Sequence, residues 1–575
     1  MANTNRVTKF LLFGCWVWAL AGCAVPFPRF WESQESSGGE GIIRNDMYFE
    51  IDPARGVFSS QQSITVSGGL VKDRKFKLYI GDSLLIDRLT LEDAEGNDLA
   101  GAAWRRVDNY EIEYFWGISR FAILEIQTAE DVPAAGRLIV NLEYHLPAEA
   151  IQAGLAENLY ALFVSPRGSH AGGPESGAFP LVDGNLSAPF SITIKHPDDI
   201  TCALPGELQA ADTTDGFKTV AYRADILYDP SFSCAPYKVT STEIQNMRIE
   251  LFAPVPLDHS PAILASAAQI ISFYAEKFGT PPARSFRIVF PELAGEAGGG
   301  ESNGNMVLLG DLQPYLVYDE KAQDGFIQLI AHEGYHLWNT WGLTWEGSLA
   351  AWWVEGGANF MASWAKEELY GSEAGAGNRL RDVQSITEQE TYHSDKNLAN
   401  VGDGWMEAWA LVYNYGALVW EQLRQEMGSE SLSAGLRDFY GLEGGRTTGY
   451  EEFITCMKTH TPADIAATLS QWTRHNARID LTIKEVAILP ENGHYHIRVN
   501  VQIDADRDYR FSTALGYKTS PGEDWRLIDM HVTKAGLISV EFDSDERPLE
   551  IQIDPEFRVP QIKPDDNLWV AGSTD

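Results

Sequence analysis

The stretch Ile330 to Gly342, "IAHEGYHLWNTWG", constrains this chain more than any other, because its two histidines can act together only if the backbone around them is helical. His332 and His336 are four apart, one turn of an α-helix, so both rings leave the same side. The surrounding "DGFIQLIAHEGYHLW" sets Phe326, Leu329, Ile330 and Leu337 on one face with no proline to interrupt it, and this predicts a helix. With 12 His and 81 Asp+Glu in 575 residues, independent placement would produce roughly 0.03 copies of the pattern H-E-x-x-H. The pattern is therefore read as a metal site rather than as two histidines packed in a core helix.

A metal that does chemistry needs a third protein ligand and an open fourth position. The next segment, "SLAAWWVEGGANFMASWAKEELYG", reads as a helix with Ser348 as N-cap and Gly371 as its stop, and it carries Glu355 with Asn359 one turn later. Two neutral imidazoles and one carboxylate suit a single catalytic Zn2+, whose residual positive charge brings a bound water to a pKa near ~7. Glu333, adjacent to His332, is then the general base, and Asn359 is a candidate to steady a ligand.

With eighteen residues between His336 and Glu355, the chain resembles the gluzincin clan of zinc peptidases, whose pattern is H-E-x-x-H-x18-E. "HEGYHLWN" and "WWVEGGANF" look most like the glycyl aminopeptidases (peptidase family M61) and are similar to the M1 aminopeptidases. The resemblance implies that His332, His336 and Glu355 bind zinc and that Glu333 is the base. "GGGES", Gly298 to Ser302, resembles the G-x-M-E-N motif of the M1 enzymes and the G-G-x-E-H of M61, although Gly300 stands where M1 has Met and Ser302 where the families have Asn or His. Gly299 and Gly300 on a strand edge let a substrate backbone pair as an added strand, and the Glu301 carboxylate can hold a protonated α-amine. Tyr413, in "EAWALVYNYGALVWEQLRQEMG", resembles the oxyanion-donating tyrosine of both families; Tyr415 replaces the family Lys, which leaves the choice between the two tyrosines open. "FPLVDGNLSAPFSITIKHP" and "FYAEKFGTPP" are similar to M1 segments, and the large helical carboxy-terminal domain of M1 is missing.

At 575 residues the chain should divide into several domains. The resemblance and the periodicities together predict a multidomain α+β architecture: an N-terminal β-rich, M1-like sandwich or saddle over 45–245, a mainly helical thermolysin-like domain over 246–477, and a small C-terminal β-sandwich over 478–560. Short alternating runs such as "KFKLYI", "LLIDRLTLED" and "RLIVNLEYHL" carry the first prediction, and a hairpin around Asn492 and Gly493 the last. Residues 561–575 read as a solvated acidic tail. Trp338, Trp341, Trp345, Trp352 and Trp353 are expected between packed helices, with a pocket lining as the alternative. His393, in the loop 387–404, is expected to be solvent-exposed rather than a ligand.

The amino terminus reads as an export signal: Arg6 and Lys9, an apolar run too short to span a bilayer, then "LAGC". That ending resembles the bacterial lipobox and implies cleavage of 1–22, lipidation of Cys23, and a tether over 23–44. Ala24 after the cysteine directs the expected anchor to an outer membrane. Outside the cytoplasm Cys202 and Cys234, both in strand-like sequence, are a candidate disulfide pair, whereas Cys456 reads as a buried thiol. The formal net charge of -37 repels nucleic acid, so none is expected as a partner. The reading is a lipid-anchored zinc aminopeptidase acting on peptides at the cell envelope. Its alternatives are a zinc endopeptidase of the same fold and a non-catalytic peptide-binding lipoprotein.

Overall fold

The computed structural model describes residues 41–99, 101–114, 117–152, 159–173, 176–182, 188–292, 299–341, 343–389, 395–401, 408–491 and 493–572. The expected export signal, Cys23, the tether up to residue 40, and His393 lie outside them. Among the described residues no helix is long and apolar enough to cross a membrane. The chain divides into two compact units, Met1–Ser272 with Pro281–Gly342, and Phe273–Thr280 with Leu343–Asp575.

The first unit is β-rich at its amino-terminal end because its segments alternate. In β1 (Ile42–Asp52) Met47, Phe49 and Ile51 face inward while Asp46, Tyr48 and Glu50 face out. The same alternation runs through β2 (Val57–Ser67), β4 (Arg137–His145) and β5 (Ala188–Pro197). With β3 (Leu85–Asp93), β6 (Glu207–Thr214) and β7 (Phe217–Tyr228) they form a seven-stranded sheet ordered β6-β7-β5-β1-β2-β4-β3, in which β1 and β5 are parallel. One face is packed and the other is polar, as antiparallel-rich sheets allow. The packed face gathers Phe49, Phe58, Phe179 and Phe232, with Phe49 and Phe232 ring centroids 5.5 Å apart. Cys202 and Cys234 lie opposite each other on paired strands and are joined by a disulfide within this core.

A five-stranded sheet follows: β8 (Lys238–Ile244), β9 (Met247–Ala253), β10 (Ser285–Val289), β11 (Gly300–Asn303) and β12 (Met306–Leu309), ordered β8-β9-β10-β12-β11. Its three central strands are parallel, and β10 and β12 are buried on both faces, hence "SFRIV" and "MVLL" without alternation. β11 is an edge strand, antiparallel to β12. Helix α1 (Ser260–Phe278) separates β9 from β10, and α2 (Glu320–Asn339) follows β12.

The second unit packs helices on aromatic side chains. Trp345 stacks on Trp353 at 4.3 Å, and Trp352 on Trp420 at 4.8 Å. All four are buried in the helical core. α3 (Gly357–Tyr370), α4 (Ser372–Glu388) and α5 (Gly416–Met427) meet at a buried ionic cluster: Glu367 binds Arg379 at 2.6 Å and Arg424 at 3.1 Å, and Glu421 binds Arg424 at 2.9 Å. Arg558, from the carboxy-terminal strands, joins both glutamates.

Those strands are β13 (Ile479–Glu491), β14 (His494–Ala505), β15 (Phe511–Lys518), β16 (Arg526–Val532), β17 (Gly536–Ser544), β18 (Glu550–Ile553) and β19 (Leu568–Val570). They form two sheets, β13-β14-β17 and β16-β15-β18-β19, which meet where Tyr517 packs on Phe542 at 4.7 Å. Gly493, at φ 90°, turns the first hairpin. The segment expected to be a solvated tail is instead built in. Asn567 donates to Gln561 and Gln561 to buried Asp554, at 2.6 and 2.9 Å, and β19 pairs with β18. Buried amide partners, absent from a composition-based reading, outweigh the acidity of the segment.

Candidate metal centre and active site

α2 starts where Asp319 accepts a hydrogen bond from the Ala322 amide at 2.9 Å, with Glu320 favourably placed in the first turn. Its last four turns are buried throughout, including His332, Glu333 and His336, each at most 1% exposed. Gly334 makes this depth attainable, since a Cβ there would stand 3.1 Å from Ile271 of α1. The two imidazoles lie 5.1 Å apart, ring centroid to ring centroid, at 82°. Nδ1 of His336 donates to Asn339 Oδ1 at 3.1 Å, with Thr340 Oγ1 at the same distance. An amide oxygen accepts only, so this contact fixes the tautomer and leaves Nε2 with its lone pair for a metal.

β11 runs directly over Glu333. A Cβ at Gly300 would come within 2.9 Å of Glu333 Oε1, so a larger residue here would push the Glu333 carboxylate aside. Gly299, at φ 100°, brings the chain into the strand. Glu301 is 1% exposed; Oε1 accepts from Asn303 Nδ2 at 2.9 Å, and Oε2 has no hydrogen-bond partner among the described residues. Burial pushes its pKa up to about 8. Ser302, at the position that departs from the family motifs, accepts from Trp341 Nε1 at 3.1 Å.

Glu355 and Tyr413 both sit in single wide turns of π-helix. One, Trp352–Gly356, leads into α3, and the other, Leu411–Tyr415, leads into α5. The helix holding Glu355 begins only at Ala350, and Ser348, expected as its N-cap, lies in the preceding turn. The two wide turns cross with backbone against backbone: a Cβ at Gly356 would meet Val412 O at 2.9 Å, and one at Gly416 would meet Gly356 Cα at 3.2 Å. Trp352 Nε1 donates to Gly416 O at 3.2 Å across the crossing. Each π turn inserts one residue and re-aims the side chains after it, and packing of this kind supports the strained geometry.

The structure separates the two tyrosines. The Tyr415 hydroxyl is shared between Trp472 O and His475 O, both at 2.8 Å, and accepts from the Ala477 amide at 3.2 Å. It closes the end of the helix Ile465–Thr473 and is structural. Tyr413 is buried, 3% exposed. Asn359 is buried one turn beyond Glu355, and Asn339, which the sequence reading passed over, accepts a hydrogen bond from His336 Nδ1. The signal was present in "HLWN", where the amide follows His336 by three positions on the same helical face.

Among the described residues, His332, His336 and Glu355 form a buried group whose candidate ligand atoms all lie within 4.8 Å of one another. Two imidazoles and one carboxylate are the donor set of a borderline-soft divalent cation with a position to spare.

No family model matches the sequence, and no curated protein matches it. Among solved structures, Legionella pneumophila aminopeptidase A, determined in complex with aspartic acid, superposes with a TM-score of 0.64 at 16% identity over 92% of this chain. The chain spans 60% of the length of that protein. The fold is thus shared with an aminopeptidase: multidomain α+β, with a large amino-terminal β-rich region and a helical middle region.

Proposed function

We propose that the protein is a zinc-dependent aminopeptidase. The observation that carries this reading is the buried group of His332, His336 and Glu355 beside Glu333, on a fold shared with an aminopeptidase. Zinc held by the three side chains would supply Lewis acidity and lower the pKa of water. Glu333, beneath β11, takes the proton of the attacking water and passes it to the leaving amine. Tyr413 donates a hydrogen bond from its hydroxyl to the developing oxyanion, which Tyr415 cannot do because its hydroxyl is committed elsewhere. The substrate backbone adds to the free edge of β11, and Glu301 holds the terminal ammonium. We place the protein outside the cytoplasm, lipid-anchored at Cys23; the Cys202–Cys234 disulfide supports an oxidising compartment.

Glu333→Gln should keep bound zinc, measured by elemental analysis, and abolish turnover; full activity in that variant would sink the mechanism. One observation favours a zinc endopeptidase instead. Burial keeps Glu301 protonated at neutral pH, and a neutral acid attracts an ammonium poorly. Matched free and N-acetylated peptides, with products read by mass spectrometry, separate the two. Single amino-terminal residues released from free peptides alone mark the aminopeptidase, and internal cuts in both sets mark the endopeptidase.

A further inference from the structure

The outer face of the seven-stranded sheet carries a trough of about 500 Å3 that has no part in peptide hydrolysis as read above. Alternation turns every second side chain of these strands outward, and the strand register arranges them in rows across the sheet. One row runs Ser191, Asp46, Ser63, Asn141, Thr90. The next runs Thr193, Tyr48, Gln61, Glu143, Arg88. Both rows line the trough.

The charges along it are answered from within. Asp46 receives Arg44 at 2.7 Å and the Ser191 hydroxyl at 2.6 Å; Glu92 receives Asn141 Nδ2 at 2.7 Å; Arg88 faces Glu143 at 3.6 Å. Two of these carboxylates face arginines and the third, Glu92, is held by an amide rather than a cation, so an anion is disfavoured and an ion of either sign would enter by breaking existing pairs. An apolar ligand would find, in these two rows, only the ring of Tyr48. What remains on offer is a set of hydroxyls and side-chain amides, each able to donate and accept, around one aromatic face. A volume near 500 Å3 lies within the roughly 300–1,000 Å3 of small-molecule sites.

We propose that this trough binds a neutral glycan, with Tyr48 stacking on a sugar ring and Gln61, Ser63, Asn141 and Thr193 exchanging hydrogen bonds with its hydroxyls. Ser63, Asn141 and Thr193 are short, and Asn141 is already held by Glu92, so binding by these three orders little that is free. The site would hold the enzyme on a polysaccharide surface or on a glycosylated substrate, and both sources present the same chemistry.

The test uses the full chain and three neutral probes, chitohexaose, cellohexaose and maltohexaose, titrated by calorimetry. At least one should bind, and Tyr48→Ala and Asn141→Leu should each weaken it by about tenfold or more. Both variants should keep the wild-type melting temperature and peptide turnover. Failure of all three probes to bind overturns the proposal, as does binding that both variants leave intact. A preference for a charged hexamer such as a hyaluronan fragment would overturn the neutral assignment. Soluble probe and probe-bearing glycopeptide, compared as peptidase substrates, then distinguish a surface anchor from a substrate subsite.

Discussion

Removing one oxygen at each of two neighbouring tyrosines should have opposite effects. The Tyr415 hydroxyl, on a side chain with no exposed surface, serves two carbonyls at 2.8 Å and one amide at 3.2 Å. Tyr415→Phe leaves those backbone groups buried and short of a partner. An unsatisfied buried group costs about 1–3 kcal/mol, and with some relaxation among three of them the loss is on the order of 2–4 kcal/mol. No reacting atom is touched, so turnover per folded molecule should stay within about twofold of wild type. Tyr413→Phe should act on turnover instead: kcat falls by ~10²- to 10³-fold through loss of one oxyanion donor. The assay pairs chemical denaturation with initial rates on a free peptide, the rates taken well below the unfolding midpoint. A stable but inactive Tyr415→Phe, or a fully active Tyr413→Phe, would refute the assignment of roles.

Three further outcomes follow from the geometry. Gly416→Ala forces a methyl group against the backbone of the facing turn and should destabilise by about 1–3 kcal/mol in denaturant titration, with turnover reduced because the turns bearing Glu355 and Tyr413 move together. Since burial pushes the Glu301 pKa up to about 8, its grip on an ammonium strengthens as pH rises towards that value, while a peptide amine loses its own proton above ~8. KM for free peptides should therefore fall from pH 6 to a minimum near 8, a dependence that Glu301→Gln abolishes. Asn339→Ala frees the His336 ring to turn and should weaken zinc binding, measured by competition with a chelator, by about 10- to 100-fold.

Most of the strands were legible because their side chains obey a period of two: "RLIVNLEYH" puts Leu138, Val140 and Leu142 inward, and it can do so only as a strand. The helix that carries His332 and His336 was legible for the complementary reason, a period near four with no proline to interrupt it, whereas its cap, Asp319, emerged only from the structure. The two π turns were not. Nothing in "WWVEG" or "LVYNY" distinguishes five-residue hydrogen bonding from ordinary helix, because the preference comes from Gly356 and Gly416 meeting across space. The depth of Glu301 was equally hidden: "GGGES" announces an exposed loop by composition, and only the sheet built around it buries the carboxyl. The tail was misjudged on its charge, since its contribution rests on two amides, Gln561 and Asn567, rather than on apolar residues.

The ionic cluster around Glu367 and Glu421 bears on modularity. Arg558 reaches both acids from the carboxy-terminal strands, Arg379 donates to the Glu556 carbonyl at 2.8 Å, and Gln422 to that of Arg558 at 2.9 Å. A chain cut at residue 478 would leave Glu421, whose carboxyl is held far below its usual range despite burial, with fewer cations around it in a medium that tolerates no unanswered charge. The β-sandwich is thus no detachable appendage. A shortened peptidase would need new counter-ions or an apolar rebuild of that seam before its helices could stand, and a transplant of the sandwich would have to carry Arg558 with it.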